Sequence, residues 1–491
     1  MLFNSTEFFI FFPVVVTLYF LTPFNRRWII LLLASYYFYM SWKPAYTLIL
    51  IASTVVDYTC GRMMGRYTDE DKDKRRPWLY TSLLSNLGIL LLFKYYNFFN
   101  DSARELALSL DVPYAMPAFE LLLPMGISFY TFQTMSYSID VYNGRIKPER
   151  HLGVFALFVS FFPQLVAGPI ERAGNLLGQL HVGHEFSYNR VVAGLRRMAW
   201  GFFKKIVIAD NLALMVNQVY NNPTEYDGIS HIIATVFFAF QIYCDFSGYS
   251  DIAIGAAQVM GFRLMENFRS PYFAKSIPEF WSRWHISLST WFRDYLYIPL
   301  GGNRVVKWRW YYNLFVVFLV SGLWHGASWT FVVWGALHGI YQVFGILTKE
   351  KRNALVQRLG LNSNPQVYKW VQVLTVFFLV CFSWIFFRAN SINDAFYIVG
   401  QSASVVTNPA QVFGLDWSHD IFMEQGFKVF AVSVVAIAIM ETVHLIQRNG
   451  SVSQLIMQRP AWVRWGIYYA AIVAVLLFGQ FGHQEFIYFQ F

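Results

Sequence analysis

The chain has 491 residues, of which 56% are hydrophobic, 20% aromatic and only 14% charged. Soluble domains carry about 25% charged residues, so the composition excludes an ordinary soluble enzyme and points to an all-α polytopic membrane protein. The net charge of +9 does not indicate nucleic-acid binding, because Lys and Arg fall in short loops between apolar runs, not in one continuous patch.

The first apolar run, 2–23, has no basic leader and no small-residue cleavage site, so it reads as a retained helix. Runs 28–41 and 45–60 follow. Arg26-Arg27 and the basic loop 62–76 both belong on the cytoplasmic side, which puts the N-terminus outside. Run 78–99 goes outward, 100–117 is an external loop, and 121–141 returns to the basic loop 145–150. The run 152–166 leads into Gly168-Pro169. Arg196-Arg197 and Lys204-Lys205 read as another cytoplasmic cluster, so parity makes 152–166 re-entrant or interfacial. Runs 206–220 and 229–243 then cross outward and inward. This reading puts Asp245 at the end of one helix and Asp251 at the start of the next. Asp251 is then either an N-cap or an active-site group.

Segment 245–309 interleaves Arg263, Arg269, Arg283, Arg293 and Arg309 with Trp281, Trp284, Trp291, Tyr295 and Tyr297. That pattern predicts amphipathic helices in the cytoplasmic interface, their arginines anchoring lipid headgroups or binding a donor. Residues 310–347 go out and back. Run 367–387 goes out, 390–425 is external, 428–446 comes in, and 465–479 leads to an external C-terminus. No internal repeat is evident. Cys60, Cys244 and Cys381 show no CxxC, and the histidines lack ligand spacing, so neither a disulfide framework nor a metal site is expected.

The stretch 321–329, Ser-Gly-Leu-Trp-His-Gly-Ala-Ser-Trp, stands between two apolar runs. Ionisable residues inside a bilayer are costly and usually serve a function or face a cavity. Gly322 and Gly326 permit close backbone approach and a broken helix. At about 1.5 Å per residue, His325 lies roughly 22 Å into a core about 30 Å thick, at the floor of a pit. Trp324 and Trp329 are expected to bury it. By itself this histidine reads equally as a base or as a structural residue bonding a carbonyl. His338, on the following run, reads as tunnel-lining or as a satisfied core histidine.

Residues 278–302, Pro-Glu-Phe-Trp-Ser-Arg-Trp-His-Ile-Ser-Leu-Ser-Thr-Trp-Phe-Arg-Asp-Tyr-Leu-Tyr-Ile-Pro-Leu-Gly-Gly, resemble the signature of membrane-bound O-acyltransferases. The stretch 241–255, the Trp324-His325-Gly326 hinge and the ending 486–491 strengthen the resemblance to the bacterial branch, which holds the membrane subunits of alginate O-acetylation and teichoic acid D-alanylation. The resemblance implies a ring of roughly a dozen transmembrane helices, with re-entrant or interfacial pieces, around a central tunnel. It treats 1–491 as one domain: N-terminal helices 1–240, core motifs 241–347, C-terminal helices 348–491. It implies His325 as catalytic and His285 as the second motif histidine, on the cytoplasmic side. Asp245, Asp251, Arg283, Trp284, Trp324 and His338 are the candidates for lining the donor path, and His483 in the terminal motif is a further candidate with no assigned role.

The implied reaction moves an acyl group from cytoplasmic acetyl-CoA, a substrate and not a bound cofactor, to an external hydroxyl. Membrane lipids and a periplasmic acceptor protein of an exopolysaccharide-modifying complex are the expected partners, in a bacterial inner membrane. Two other classes stay open. A transporter would need two access states and usually shows paired broken helices. A scaffold for a periplasmic enzyme would not need a buried histidine.

Overall fold

The computed structural model describes all residues except 69, 120–121, 448–449, 451, 482–485 and 488–491. Among the described residues the regular structure is helical throughout. The candidate His483 lies outside them.

Contacts divide the chain into two compact units. Unit 1 holds 1–198, 250–266 and 290–295; unit 2 holds 199–249, 267–289 and 296–491. The first unit begins with α1 (Thr6–Leu21), α2 (Arg27–Met40), α3 (Thr47–Met64) and α4 (Lys72–Leu90). A π-helical turn, Leu91–Tyr95, joins α4 to α5 (Tyr96–Ser109). Then come α6 (Ile127–Tyr142), α7 (Leu152–Ser160) and α8 (Ala173–Leu180). Helices α9 (Tyr188–Phe202), α11 (Gly228–Met260) and α13 (Ile286–Phe292) give residues to both units, while α10 (Asp210–Asn221) and α12 (Ile277–Arg283) belong to unit 2. Unit 2 continues through α14 (Lys307–His325), α15 (Trp329–Leu347), α16 (Lys349–Arg358) and α17 (Pro365–Arg388). It ends with α18 (Ile392–Thr407), α19 (Gly426–Gln447), α20 (Val452–Met457) and α21 (Ala461–Phe478).

Among the described residues, five helices are long and apolar enough to cross a membrane: α11, α15, α17, α19 and α21. The apolar α1 is shorter. Helix α7 has nine residues, about 14 Å at the α-helical rise, and cannot cross. It is also buried from Val154 to Ser160, so protein surrounds it.

The basic loops of unit 1 converge. Trp28, next to Arg26-Arg27, packs on His151 with ring centroids 4.7 Å apart. A Cβ on Gly65 would come within 2.3 Å of Pro148, and the Tyr58 hydroxyl donates to the Arg150 carbonyl at 2.6 Å. These loops therefore share one end of the unit, as the positive-inside pattern predicts.

Three expectations are corrected. Helix α11 runs unbroken for 33 residues, so Asp245 and Asp251 lie within it, and Asp251 caps nothing. Lys204 and Lys205 are not loop charges: both are buried, on the π-helical segment Phe203–Ala209. Trp281, Trp284 and Trp291 are buried inside the protein and do not lie against a lipid interface.

Candidate active site

Helix α14 ends at His325, and the next residue, Gly326, is extended with φ −158° and ψ 149°. Helix α15 starts after Ser328, whose hydroxyl accepts from the Thr330 N–H at 3.3 Å. The hinge is thus three residues, 326–328, stopped by an extended glycine and restarted by a serine cap. The two helices then press together. A Cβ on Gly322 would meet the Phe331 carbonyl oxygen at 2.3 Å, and one on Gly335 would meet the Phe318 carbonyl oxygen at 2.5 Å. Only glycine lets the backbones approach this closely.

That approach buries His325 in an aromatic cage. Its ring centroid is 4.9 Å from Trp324, 4.9 Å from Trp334 and 5.4 Å from Phe387. Trp329, expected as a wall, is 54% exposed. It is the first residue of α15, and Trp334, more than one turn later, is the tryptophan of that helix packed on the His325 ring.

His285 is the other neighbour, with its ring centroid 6.4 Å from that of His325. It stands at the junction of α12 and α13, in the left-handed region at φ 42°, where a non-glycine residue costs on the order of 1–3 kcal/mol. The surroundings hold it there. The Asn267 carbonyl accepts from the Ile286 N–H at 2.9 Å, the Asn267 side chain accepts from the Ser287 hydroxyl at 2.7 Å, and Arg269 N–H donates to the Arg283 carbonyl at 3.0 Å. Phe246 packs edge-on against the imidazole at 4.6 Å. The two rings, 6.4 Å apart, therefore face one common enclosure.

His338 is fully buried and bonded on both nitrogens. The Trp281 indole N–H donates to Nδ1 at 3.3 Å, and Nε2 is 3.0 Å from the Ser383 hydroxyl. Indole is donor-only, so Nδ1 accepts and Nε2 carries the proton. The Ser383 hydroxyl in turn donates to the Val380 carbonyl at 2.8 Å. His338 is therefore a satisfied core histidine, and its ring supports Trp334 at 4.9 Å. Trp284 is likewise core, 5.2 Å from Trp384 and 5.1 Å from Phe268. Trp324 touches both His285 and His325. The Arg283 guanidinium pairs with Glu279 at 2.6 Å, so its charge is met within its own helix.

Asp245 belongs to a buried ion cluster in unit 2. Lys205 Nζ lies 2.6 Å from Asp245 and 2.8 Å from Asp210. The other Asp245 oxygen accepts from the Ile487 N–H at 2.7 Å. Asp251, in unit 1, takes the Arg197 Nε at 2.9 Å, while the rest of that guanidinium holds Glu266. Reading the sequence missed Lys205, Asp210, Trp334, Phe387 and Ser383. The signal for Lys205 was present: a lysine entering an apolar run with an aspartate one and a half turns on.

Comparison with known proteins follows the same residues. The model of the membrane-bound O-acyltransferase family matches residues 149–387, a span holding both histidines. The chain is 42% identical to "Probable alginate O-acetylase AlgI" of Pseudomonas aeruginosa, over 80% of this chain and 73% of that one. It is 41% identical to the protein of the same name in Pseudomonas putida, over 84% of each. It is 35% identical to the "Peptidoglycan O-acetyltransferase" of Helicobacter pylori, over 81% of this chain and 79% of that one. The chain is a multi-pass membrane enzyme, an O-acyltransferase, and belongs to the membrane-bound O-acyltransferase family.

Proposed function

We propose that the chain takes an acetyl group from acetyl-CoA on the cytoplasmic side and delivers it to a hydroxyl on the far side of a bacterial inner membrane. The end product is an O-acetylated exopolysaccharide such as alginate. The observation that carries this reading is the pair His285 and His325, 6.4 Å apart in an aromatic enclosure at a broken helix. The names of the relatives supply the acetyl group and the polysaccharide.

Acyl transfer to a hydroxyl needs a base to take the hydroxyl proton as its oxygen attacks the thioester carbonyl, with the thiolate of CoA leaving. Histidine suits that work near neutral pH. His325 is the base in this proposal. His285 positions the thioester or bonds the carbonyl oxygen as charge develops there. Trp324, packed on both rings, sets their mutual geometry. The whole chain acts as one catalytic domain with a path for the acyl group through its centre, and both termini are periplasmic. A periplasmic acceptor protein receives the acetyl group before the polymer does.

The test uses the purified chain in sealed vesicles with radiolabelled acetyl-CoA outside and an alginate oligomer, alone or with periplasmic extract, inside. Label should reach the enclosed acceptor with the wild type and not with His325→Ala. Transfer by a well-folded His325→Ala variant would end the assignment of His325. The relative that acts on peptidoglycan supports a second acceptor, so peptidoglycan fragments belong in the same assay.

A further inference from the structure

Away from the histidine pair, unit 1 holds a half-open cavity of about 230 Å³. Its wall comes from Tyr19 on α1, Arg27 and Trp28 at the start of α2, His151 at the head of α7, and His181 and Val182 beyond α8. This is the end of the unit where the basic loops converge.

The charge in the wall is one-sided. Arg27 donates from Nε to the Thr22 carbonyl at 2.9 Å and from Nη1 to the His184 carbonyl at 2.7 Å. Both acceptors are neutral, and among the described residues Arg27 has no carboxylate partner. The carboxylate at hand, Glu149, is already engaged. His181 meets it at 2.7 Å, and the N–H groups of Arg150 and His151 donate to it at 2.7 and 2.8 Å. Burial holds the His184 imidazole below its ordinary pKa against its bond to the Gln179 carbonyl, and the charges of Arg190 and Arg27 act in the same direction as burial. Other lining residues are apolar and open: Phe24 and Val182 are both exposed. A positive wall beside an exposed apolar lining, at the polar end of a membrane protein, matches a phosphate carried on acyl chains. A zwitterionic headgroup would bring its own cation towards Arg27.

We propose that this cavity binds the phosphate of an anionic phospholipid, with Arg27 as the charge and the exposed Phe24 and Val182 against the first carbons of the acyl chains. One basic group near a membrane surface is worth about a fivefold preference for anionic lipid. Native mass spectrometry of the full chain in detergent, titrated with phosphatidylglycerol, phosphatidylcholine and inorganic phosphate, tests it. The wild type should retain phosphatidylglycerol over phosphatidylcholine by about fivefold, and inorganic phosphate should not displace it. Arg27→Gln should abolish the preference. Because Arg27 also ties down two carbonyls, Val182→Glu is the second variant. It adds a negative charge at the exposed mouth without removing a bond, and should bring the two lipids to parity. Equal retention of both lipids by the wild type, or an unchanged preference in Val182→Glu, overturns the proposal. Displacement of phosphatidylglycerol by inorganic phosphate would assign the cavity to free phosphate instead.

Discussion

His285 and His325 stand with ring centroids 6.4 Å apart and planes inclined at 56°, one at a strained helix junction and the other at the end of α14. Neither is held by its own helix alone. His325 is placed by the glycine contact of α14 with α15, and His285 by the Asn267 bonds that pin the start of α13. If the pair is catalytic, replacing either ring should stop transfer without unfolding the chain. His325→Gln, which keeps most of the volume, should lower acetyl transfer by about 10²–10⁴-fold, the usual contribution of a positioned base. Its thermal midpoint in detergent should move little.

His285 needs a different control, because its backbone is left-handed. Alanine there adds strain to the loss of the ring, whereas asparagine tolerates that region. His285→Asn should therefore lose transfer while staying closer to wild-type stability than His285→Ala. Equal destabilisation by the two would mean that the ring, not the backbone, holds the junction.

The glycine contact gives a prediction about the hinge. Gly322→Ala places a methyl 2.3 Å from the Phe331 carbonyl and 3.0 Å from Gly335 Cα. Both neighbours are backbone and cannot rotate away, so the helices must part. Overpacking of this kind costs about 1–3 kcal/mol, and parting the helices would also displace His325. Gly345→Ala, further along α15, meets nothing within 4 Å. It should stabilise by up to about 1 kcal/mol through helix propensity. Thermal unfolding of the two variants in the same detergent should move in opposite directions.

The ion cluster predicts an asymmetry. Lys205 is buried between Asp210 and Asp245. Lys205→Met leaves two buried carboxylates without their cation, and breaking a buried pair in this way costs about 3–5 kcal/mol. Removing all three charges, as Lys205→Met with Asp210→Asn and Asp245→Asn, should recover much of that loss. The Ile487 N–H keeps an amide oxygen to donate to in the triple variant. A triple variant no more stable than the single one would show that the cluster is valued for its hydrogen bonds and not for its charge balance.

These residues also show what could be read before the structure. The hinge was legible because its signals are local: two glycines beside a histidine, set between two apolar runs. The same holds for α17, α19 and α21, which the apolar runs place to within a few residues. The polar run Asp245-Phe246-Ser247-Gly248-Tyr249-Ser250-Asp251 looked like a helix break for the same local reason. It is not one, because Lys205 and Arg197, distant in sequence, donate to the two carboxylates inside α11. The lysines at 204 and 205 were misplaced by a rule about loops, applied to residues whose partners make burial affordable. Trp281 and Trp284 failed differently. An aromatic stripe records an apolar neighbour but does not say whether that neighbour is lipid or the cage around His325.

The last prediction concerns pH and a residue outside the site. His419 Nδ1 lies 3.0 Å from an Asp420 oxygen, and the ring stacks on Tyr226 with centroids 4.6 Å apart. The bond to Asp420 raises the His419 pKa, with partial burial opposing it. Asp420 is itself fixed, since its other oxygen accepts from the Asp416 N–H at 2.8 Å and its carbonyl from the Ser230 hydroxyl at 3.0 Å. The folded chain thus holds the His419 proton more tightly than the unfolded chain does. The resulting stability is fully present below the unfolded pKa of about 6.5 and is lost as pH rises through the folded value. Thermal midpoints of the wild type and His419→Gln, measured from about pH 5.5 to pH 8.5, should differ most at the acid end and converge at the alkaline end. The pair is part-exposed, so the difference should be small and should shrink further with added salt. Parallel curves at all pH values would mean that the stacking on Tyr226, and not the ion pair, holds this turn.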